Sequence, residues 1–122
     1  MTRPHISIVD DDESVRESLP DLLSELGYDV QAFCAAEDFL LSSELATTDC
    51  VILDIAMPGM TGPELQSELT RLRRRIPLVF ITAQIDESVR QGVLRRGAVA
   101  CLFKPFTEAA LIEALARALC TQ

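Results

Sequence analysis

Five polar residues directly follow short apolar runs that lie far apart in the chain. They are Asp10 and Asp11 after "ISIV", Asp54 after "CVIL", Thr82 after "LVFI" and Lys104 after "VACLF". Phosphoryl transfer needs such carboxylate, hydroxyl and ammonium groups, because negative charge develops on three equatorial oxygens in its transition state. In that chemistry Asp54 would be the nucleophile and would form an acyl phosphate. Thr82 and Lys104 would each contact a phosphoryl oxygen.

The aspartates also predict a divalent cation. Two carboxylates about 4 Å apart repel by about 4 kcal/mol at an effective dielectric of 20, so three cannot all stay ionised cheaply without a positive partner. Oxygen ligands favour Mg²⁺, or Mn²⁺ in its place, and Mg²⁺ readily takes a phosphate oxygen as a further ligand. We expect Asp11 to hold the metal, with Asp10 behind it or bound through a water, and Lys104 to supply the remaining positive charge.

The elements that must bring these residues together form five βα units. The predicted strands span residues 5–10, 28–33, 50–54, 78–82 and 99–103, and the predicted helices span residues 13–26, 36–45, 63–75, 86–96 and 107–119. Successive βα units imply an α/β fold with a parallel sheet and helices on both faces, because the crossovers are right-handed. We expect a doubly wound (βα)5 sheet of flavodoxin-like strand order 2-1-3-4-5, with the site where strand order reverses between the first and third strands.

Local signals support these boundaries. Asp12 is a natural N-cap for the first helix, and Gly27 suits the position just after its end. Pro63 falls in the first turn of the third helix, where proline is favoured. Pro20 lies past the first turn of the first helix, so we expect it to remove a backbone hydrogen bond and kink that helix.

Length and composition indicate one domain over residues 1–122, since 122 residues with 48% apolar content can bury a core. No apolar stretch is long enough for a membrane span, and the amino terminus lacks the apolar core of a signal peptide. A cytoplasmic location is therefore expected. The four cysteines are scattered without metal-ligand spacing and are interpreted as small hydrophobes.

The charge balance argues against nucleic acid and anionic membranes as partners. Eleven Lys and Arg residues face 19 Asp and Glu residues, for a formal charge of −8, and such a surface repels phosphate backbones. The arginine run Arg71, Arg73, Arg74 and Arg75 closes a predicted helix. Cations are favoured at helix carboxyl ends, so we interpret this run as a solvated helix terminus.

The motifs "VDDDESVR", "ILDIAMPGMTG", "FITA" and "FKPF" occur in order, and together they resemble a response-regulator receiver domain of the CheY-like fold. "AEDFL" and "GAVACLFKPF" resemble the FixJ-like branch, whose members usually carry a C-terminal helix-turn-helix. The resemblance implies a two-component phosphorelay, in which a sensor histidine kinase or phosphotransfer protein phosphorylates Asp54. It further implies Mg²⁺ bound by Asp11, Asp54 and the backbone carbonyl of Ala56, and a cis peptide bond between Lys104 and Pro105.

The resemblance also implies a switch. Phosphorylation would pull Thr82 and the following loop, beginning at Ala83, and change the surface of the fourth helix, fifth strand and fifth helix. That surface could form a homodimer, and a DNA-binding domain outside this chain would control transcription. One position is atypical, because receivers usually place Tyr or Phe three residues before the lysine, where this chain has Cys101. We expect activation to depend on Thr82 and the fourth helix instead.

Other functions compete with this prediction. "IVDDDES" loosely fits the haloacid-dehalogenase-like phosphatases, with Asp10 as nucleophile and Asp12 as general acid, but it leaves Asp54 without a role. A constitutive binding module that had lost the chemistry would lack Asp54, Lys104 or the acidic pair, and none is lost. A stand-alone single-domain relay protein is a further alternative. Flavin or nucleotide binding at the strand ends lacks a Gly-rich loop after the first strand. We expect no enzyme activity beyond assistance to the chain's own phosphorylation and dephosphorylation.

Overall fold

The computed structural model describes residues 3–83 and 86–120, and it contains one five-stranded parallel sheet. The strands are β1 His5–Val9, β2 Asp29–Phe33, β3 Cys50–Asp54, β4 Leu78–Thr82 and β5 Ala100–Phe103. Their order in the sheet is β2-β1-β3-β4-β5, and every neighbouring pair is parallel. This topology confirms the predicted doubly wound fold and strand order. The near-continuous apolar runs of the strands fit a parallel sheet that is covered on both faces.

Six helices connect and flank the strands in the described part of the chain. They are α1 Glu13–Glu25, α2 Ala36–Leu40, α3 Glu44–Thr47, α4 Gly62–Arg71, α5 Glu87–Arg95 and α6 Glu108–Cys120. The helix predicted over residues 36–45 is wrong as one element, since a turn at 41–43 separates α2 from α3. The hydroxyl and backbone N–H of Ser42 both donate to the carbonyl of Phe39, and serine favours such local bonds over helix continuation. The predicted fourth and fifth helices are therefore α5 and α6.

The helix ends follow the predicted signals with one exception. Asp12 caps α1 by accepting a hydrogen bond from the Ser14 backbone, and Gly27 follows α1 with φ of 101°. Pro63 lies in the first turn of α4. The helix predicted to run to residue 75 ends at Arg71, because Arg73 adopts the left-handed conformation with φ of 58°.

Pro20 lies inside α1, and the helix continues on both sides of it. Proline still has no backbone N–H to donate at this position. Buried Leu19 and Leu23 pack that stretch of α1 against the sheet. This tertiary packing maintains the helix past the missing hydrogen bond. Pro20 therefore does not end the helix.

Apolar side chains cover both faces of the sheet. On one face, α1 and α6 pack over Ile8, Ile52 and Ile81. On the other, α2, α4 and α5 pack over Leu53 and Phe80, among others. None of the helices in the described residues is long and apolar enough to cross a membrane. With both faces covered, the polar strand-end residues are left at one edge of the sheet.

Candidate functional site

The carboxyl edge of the sheet brings together the three aspartates that the sequence predicted to converge. One carboxylate oxygen from each of Asp10, Asp11 and Asp54 lies within 4.8 Å of the others. The pairing of β1 with β3 explains this, because Val9 lies opposite Leu53 and the next residues are Asp10 and Asp54. Asp10 and Asp54 are buried, whereas Asp11 is exposed. Two carboxylates are thus fixed in the protein, and the third faces solvent at the same point.

Lys104 places an ammonium group beside the buried carboxylates. Its Nζ donates a hydrogen bond to Asp10 Oδ2 at 2.9 Å and lies 4.0 Å from Asp54 Oδ2. Desolvation alone would lower the pKa of Lys104, but the hydrogen bond to Asp10 and the charges of Asp10, Asp54 and Asp12 outweigh it and raise that pKa. The lysine is therefore charged at neutral pH, and Asp10 is the carboxylate to which it donates a hydrogen bond.

Backbone contacts fix where the lysine starts. The Lys104 backbone N–H donates to the carbonyl of Thr82 at 2.7 Å, directly beyond the pairing of Thr82 with Phe103. The peptide bond between Lys104 and Pro105 is cis. The end of β4 therefore positions the lysine at the same edge as the aspartates.

Asp54 is a buried carboxylate whose charge is only partly compensated. Burial raises its pKa, the negative charge of Asp10 raises it further, and Lys104 and the Ile55 N–H, which donates to Oδ1 at 2.8 Å, oppose these effects. The net result raises the pKa of Asp54 to about 6. A carboxylate with this pKa holds a proton more readily than an ordinary aspartate. A cation beside it would therefore be favourable.

Asp10 and Asp12 are engaged in other contacts. Asp10 Oδ1 accepts from the Asp12 backbone N–H at 2.9 Å, while Oδ2 accepts from Lys104. Asp12 Oδ1 accepts from the hydroxyl and the backbone N–H of Ser14, and the hydroxyl bond is the larger cause that lowers the pKa of Asp12. A general acid must hold a proton near neutral pH, so a lowered pKa is unsuited to that role.

Thr82 ends β4 at the same edge, and Ala83 follows it. Thr82 is 2% exposed, and Ala83 is exposed. In the sheet register Asp54 lies opposite Ile81, so Thr82 stands one residue beyond Asp54 toward the loop. Residues 84 and 85, which follow Ala83 in the chain, lie outside the described residues. Thr82 thus stands at the correct end of β4 for the predicted contact.

The loop after β3 doubles back onto the end of that strand. The Gly62 N–H donates to the Ile55 carbonyl at 3.0 Å, and a Cβ at Gly62 would lie 2.2 Å from the Asp54 carbonyl oxygen. Ala56, predicted to offer its carbonyl, is exposed in this loop. Sequence reasoning missed the role of Gly62, for which the "TGP" before the helix was the available signal.

A second missed contact supports Asp10 from α1. Arg16 Nη1 donates to the Asp10 backbone carbonyl at 3.0 Å. Arg16 is six residues from Asp10, on the helix that Asp12 caps. This spacing was visible in the sequence, but nothing there distinguished Arg16 from an ordinary solvated residue. The hydrogen bond from Arg16 helps to hold the carboxyl end of β1 in place.

Cys101 lies in β5 opposite Phe80 and is 7% exposed. It belongs to the apolar cluster beneath α4 and α5. Burial raises the pKa of its thiol, so it is a packed small side chain rather than a reactive one. Phe103, two residues farther on, is half-buried at the strand end opposite Thr82.

Comparison with known proteins gives a consistent result. The family model described as response regulator receiver domain matches residues 6–116. Nodulation protein W of Bradyrhizobium diazoefficiens is 38% identical over 117 residues, which are 96% of this chain and 52% of that protein. The solved structure of FixJ-N superimposes with a TM-score of 0.88 at 34% identity, over 100% of this chain and 98% of the other. Response regulator StyR gives a TM-score of 0.89 at 43% identity, over 98% of this chain and 61% of the other. The chain spans about half the length of the curated relatives it matches.

Proposed function

Since the chain belongs to the response regulator receiver domain family, we propose that it accepts a phosphoryl group on the Asp54 carboxylate from a phosphohistidine. The donor is a sensor histidine kinase or a phosphotransfer protein. The observation that supports this assignment is the meeting of Asp54 with Asp10, Asp11 and the Lys104 ammonium group at one edge of the sheet. Of the two buried carboxylates, Asp54 is the more available for attack, because both Asp10 oxygens already accept hydrogen bonds within the protein.

The donor set fits a hard divalent cation. Asp10, Asp11 and Asp54 offer oxygen atoms only, and Asp11 is exposed where waters can complete a coordination shell. Asp11, Asp54 and the Ala56 carbonyl would hold Mg²⁺, or Mn²⁺, with Asp10 behind them or bound through a water. The ion supplies positive charge against the phosphoryl oxygens.

The residues of the chain account for the transfer itself. An ionised Asp54 oxygen attacks the phosphorus as the nitrogen–phosphorus bond breaks, the bonding pair returns to the imidazole of the donor, and the ring takes a proton from water. The Ile55 N–H holds Asp54 Oδ1 at 2.8 Å, which orients the other oxygen. Lys104 and the Thr82 hydroxyl then bind phosphoryl oxygens, and stabilisation of that charge is the main contribution to the rate.

The same contacts would drive the output. Movement of Thr82 and Ala83 toward the phosphoryl group biases a pre-existing equilibrium of the α5–β5–α6 surface, and the shift is limited by the differential contacts made in the two states. We expect this surface to form a homodimer on phosphorylation. Because the matched relatives are about twice as long as this chain, we place transcriptional control in a DNA-binding domain outside it.

The competing phosphatase function is less consistent with the geometry. It requires Asp10 as nucleophile and Asp12 as general acid. Asp10 is fully buried with both oxygens hydrogen-bonded, and hydrogen bonds from Ser14 lower the pKa of Asp12. Neither carboxyl group is free for the role that the phosphatase chemistry would give it.

The test is to incubate the purified chain with acetyl phosphate and Mg²⁺ and to measure phosphoryl addition by intact mass. The wild type should gain one phosphoryl group, and Asp54→Asn should gain none. Asp86→Asn, which removes an exposed carboxylate that caps α5, is the matched control and should be labelled like the wild type. Labelling that survives in Asp54→Asn but disappears in Asp10→Asn would establish the phosphatase chemistry instead.

A further inference from the structure

A second concave site lies at the opposite edge of the sheet. It is a cleft of about 720 Å³ between the end of α4, the loop into β4 and the end of α5. Its floor is apolar and includes Leu69, Ile76, Leu78 and Val99. Leu78 begins the strand that Thr82 ends, so about 13 Å, four strand steps of about 3.3 Å, separates this cleft from the aspartate cluster. The cleft is therefore a different site from the one already described.

Arginines dominate the polar part of the cleft. Those that line it are Arg73, Arg74, Arg75 and Arg96. In the described part of the chain none of the four has an ion pair or a side-chain hydrogen bond, whereas Arg71 pairs with Glu68 and Arg90 with Glu87. Among the described residues none that is acidic lines the cleft, although acidic residues outnumber basic ones in the chain. The carboxyl ends of α4 and α5 offset some of the repulsion between these guanidinium groups. An anion would offset more, through bidentate contacts.

A buried acceptor also lines the cleft. Gln66 on α4 is 4% exposed, and its Nε2 donates to the Val93 carbonyl at 3.0 Å. Its Oε1 has no hydrogen-bond partner among the described residues. A buried acceptor without a partner is costly, so such atoms usually mark a missing donor. This oxygen is itself buried, so a ligand in the cleft reaches it only when the Gln66 side chain turns toward the cleft.

The backbone at Arg73 is unusual in the same place. Arg73 has φ of 58° and follows the C-cap of α4, a position where glycine is the common residue. The N–H groups of Arg73 and Arg74 close the helix end onto the carbonyls of Thr70 and Leu69. An arginine in this conformation costs more than glycine would. The conformation keeps a guanidinium group at the rim of the cleft.

We propose that this cleft binds a nucleotide. The arginines hold its phosphates, and the apolar floor packs against its base. The Gln66 side chain turns toward the cleft, and an amine or hydroxyl group of the ligand donates to its Oε1. Binding of this kind needs no Gly-rich loop, because guanidinium groups take the place of backbone amides. The proposal favours a small ligand over a nucleic acid, since the net charge of −8 repels an extended phosphate backbone.

Isothermal titration calorimetry of the intact chain with ATP and GTP tests this proposal, with adenosine and tripolyphosphate as partial ligands. At least one nucleotide should bind in a saturable way and more tightly than either partial ligand. The double variant Arg74→Ala/Arg75→Ala should weaken binding by about tenfold or more, as expected for loss of charge-assisted hydrogen bonds. Arg90→Ala, outside the cleft, is the matched control and should bind like the wild type, as should Asp54→Asn.

Gln66→Leu separately tests the hydrogen bond from the ligand to Gln66 Oε1. Leucine introduces no buried polar group, so the substitution should not unfold the chain. It should weaken nucleotide binding several-fold and leave tripolyphosphate binding unchanged. Absence of saturable nucleotide binding by the wild type would overturn the proposal. So would tripolyphosphate binding as tight as that of the nucleotides, or tighter binding of an oligo-glutamate peptide, which would make the cleft a protein-docking site.

Discussion

Replacement of Asp54 by asparagine should stabilise the fold when no divalent ion is present. The Asp54 side chain is 10% exposed beside the buried Asp10 carboxylate, and its pKa rises from 3.8 to about 6 in the folded protein. The folded state therefore binds the extra proton between about pH 4 and pH 6. Stability falls as pH rises through that window and is level above it. At pH 7 the ionised group acts against folding.

The size of the effect follows from the pKa shift. Two pKa units correspond to about 3 kcal/mol, and water at the edge of the sheet screens part of this, which leaves about 1–2 kcal/mol. Asparagine has nearly the same shape without the charge, so Asp54→Asn should raise the free energy of unfolding by that amount. For a domain of this size the midpoint of thermal unfolding should rise by roughly 4–8 °C.

The assay is thermal and urea unfolding, followed by circular dichroism, in EDTA at pH 4, 5, 6 and 7. The gap between Asp54→Asn and wild type should be small at pH 4 and widest at pH 7. Addition of Mg²⁺ should stabilise the wild type and have little effect on the variant. Asp86→Asn is the control of opposite sign, because hydrogen bonds to Ser88 and Val89 lower the pKa of Asp86, and its loss should destabilise the protein at pH 7. A variant at residue 54 that is less stable than wild type in EDTA at pH 7, or a gap independent of pH, would refute this account of the site.

Two further substitutions test the framework of the site. Lys104→Met should lower the free energy of unfolding in urea by about 2–4 kcal/mol, because it leaves the fully buried Asp10 carboxylate without its cation. A change under about 0.5 kcal/mol would show that the pair contributes little. Gly62→Ala should cost at least about 2 kcal/mol and reduce acetyl phosphate labelling, because its Cβ would meet the Asp54 carbonyl at 2.2 Å. Gly92→Ala in α5 is the matched control and should stabilise by up to about 1 kcal/mol. A Cβ at Gly92 would lie 3.6 Å from the nearest side-chain atom, which belongs to Arg96.

The sequence predicted the sheet and the convergence of the strand-end residues well, because both depend on the same regularity. Parallel strands with covered faces leave polar residues only at their ends, so the positions of Asp54 and Thr82 after apolar runs were enough to place them at one edge. The helix ends were harder to predict. Residues 36–45 have helical spacing, but Ser42 bonds to the Phe39 carbonyl and ends the helix.

What the sequence did not contain was the pairing within the site. It predicted Lys104 as a phosphate ligand and as part of the positive charge beside the aspartates. Nothing in it showed that the ammonium group bonds to Asp10 and stands 4.0 Å from Asp54. The Schellman-like turn at Arg73 was missed for a similar reason, since glycine is the usual signal for it. Both features depend on backbone geometry that residue type alone does not specify.

The three clustered aspartates illustrate how one side chain is given three roles by its surroundings. Asp10 is fully buried, accepts from Lys104 and the Asp12 backbone, and so anchors the lysine. Asp11 is exposed and can exchange waters for a ligand. Asp54 lies between these extremes, buried enough for its pKa to rise to about 6, yet with one oxygen not held by a hydrogen bond among the described residues. A nucleophile needs that intermediate environment. Complete burial with two hydrogen bonds would block attack, and full exposure would leave the carboxylate strongly solvated by water. The proposed chemistry therefore follows from the differences among the three carboxylates, and exchanging any two environments would remove it.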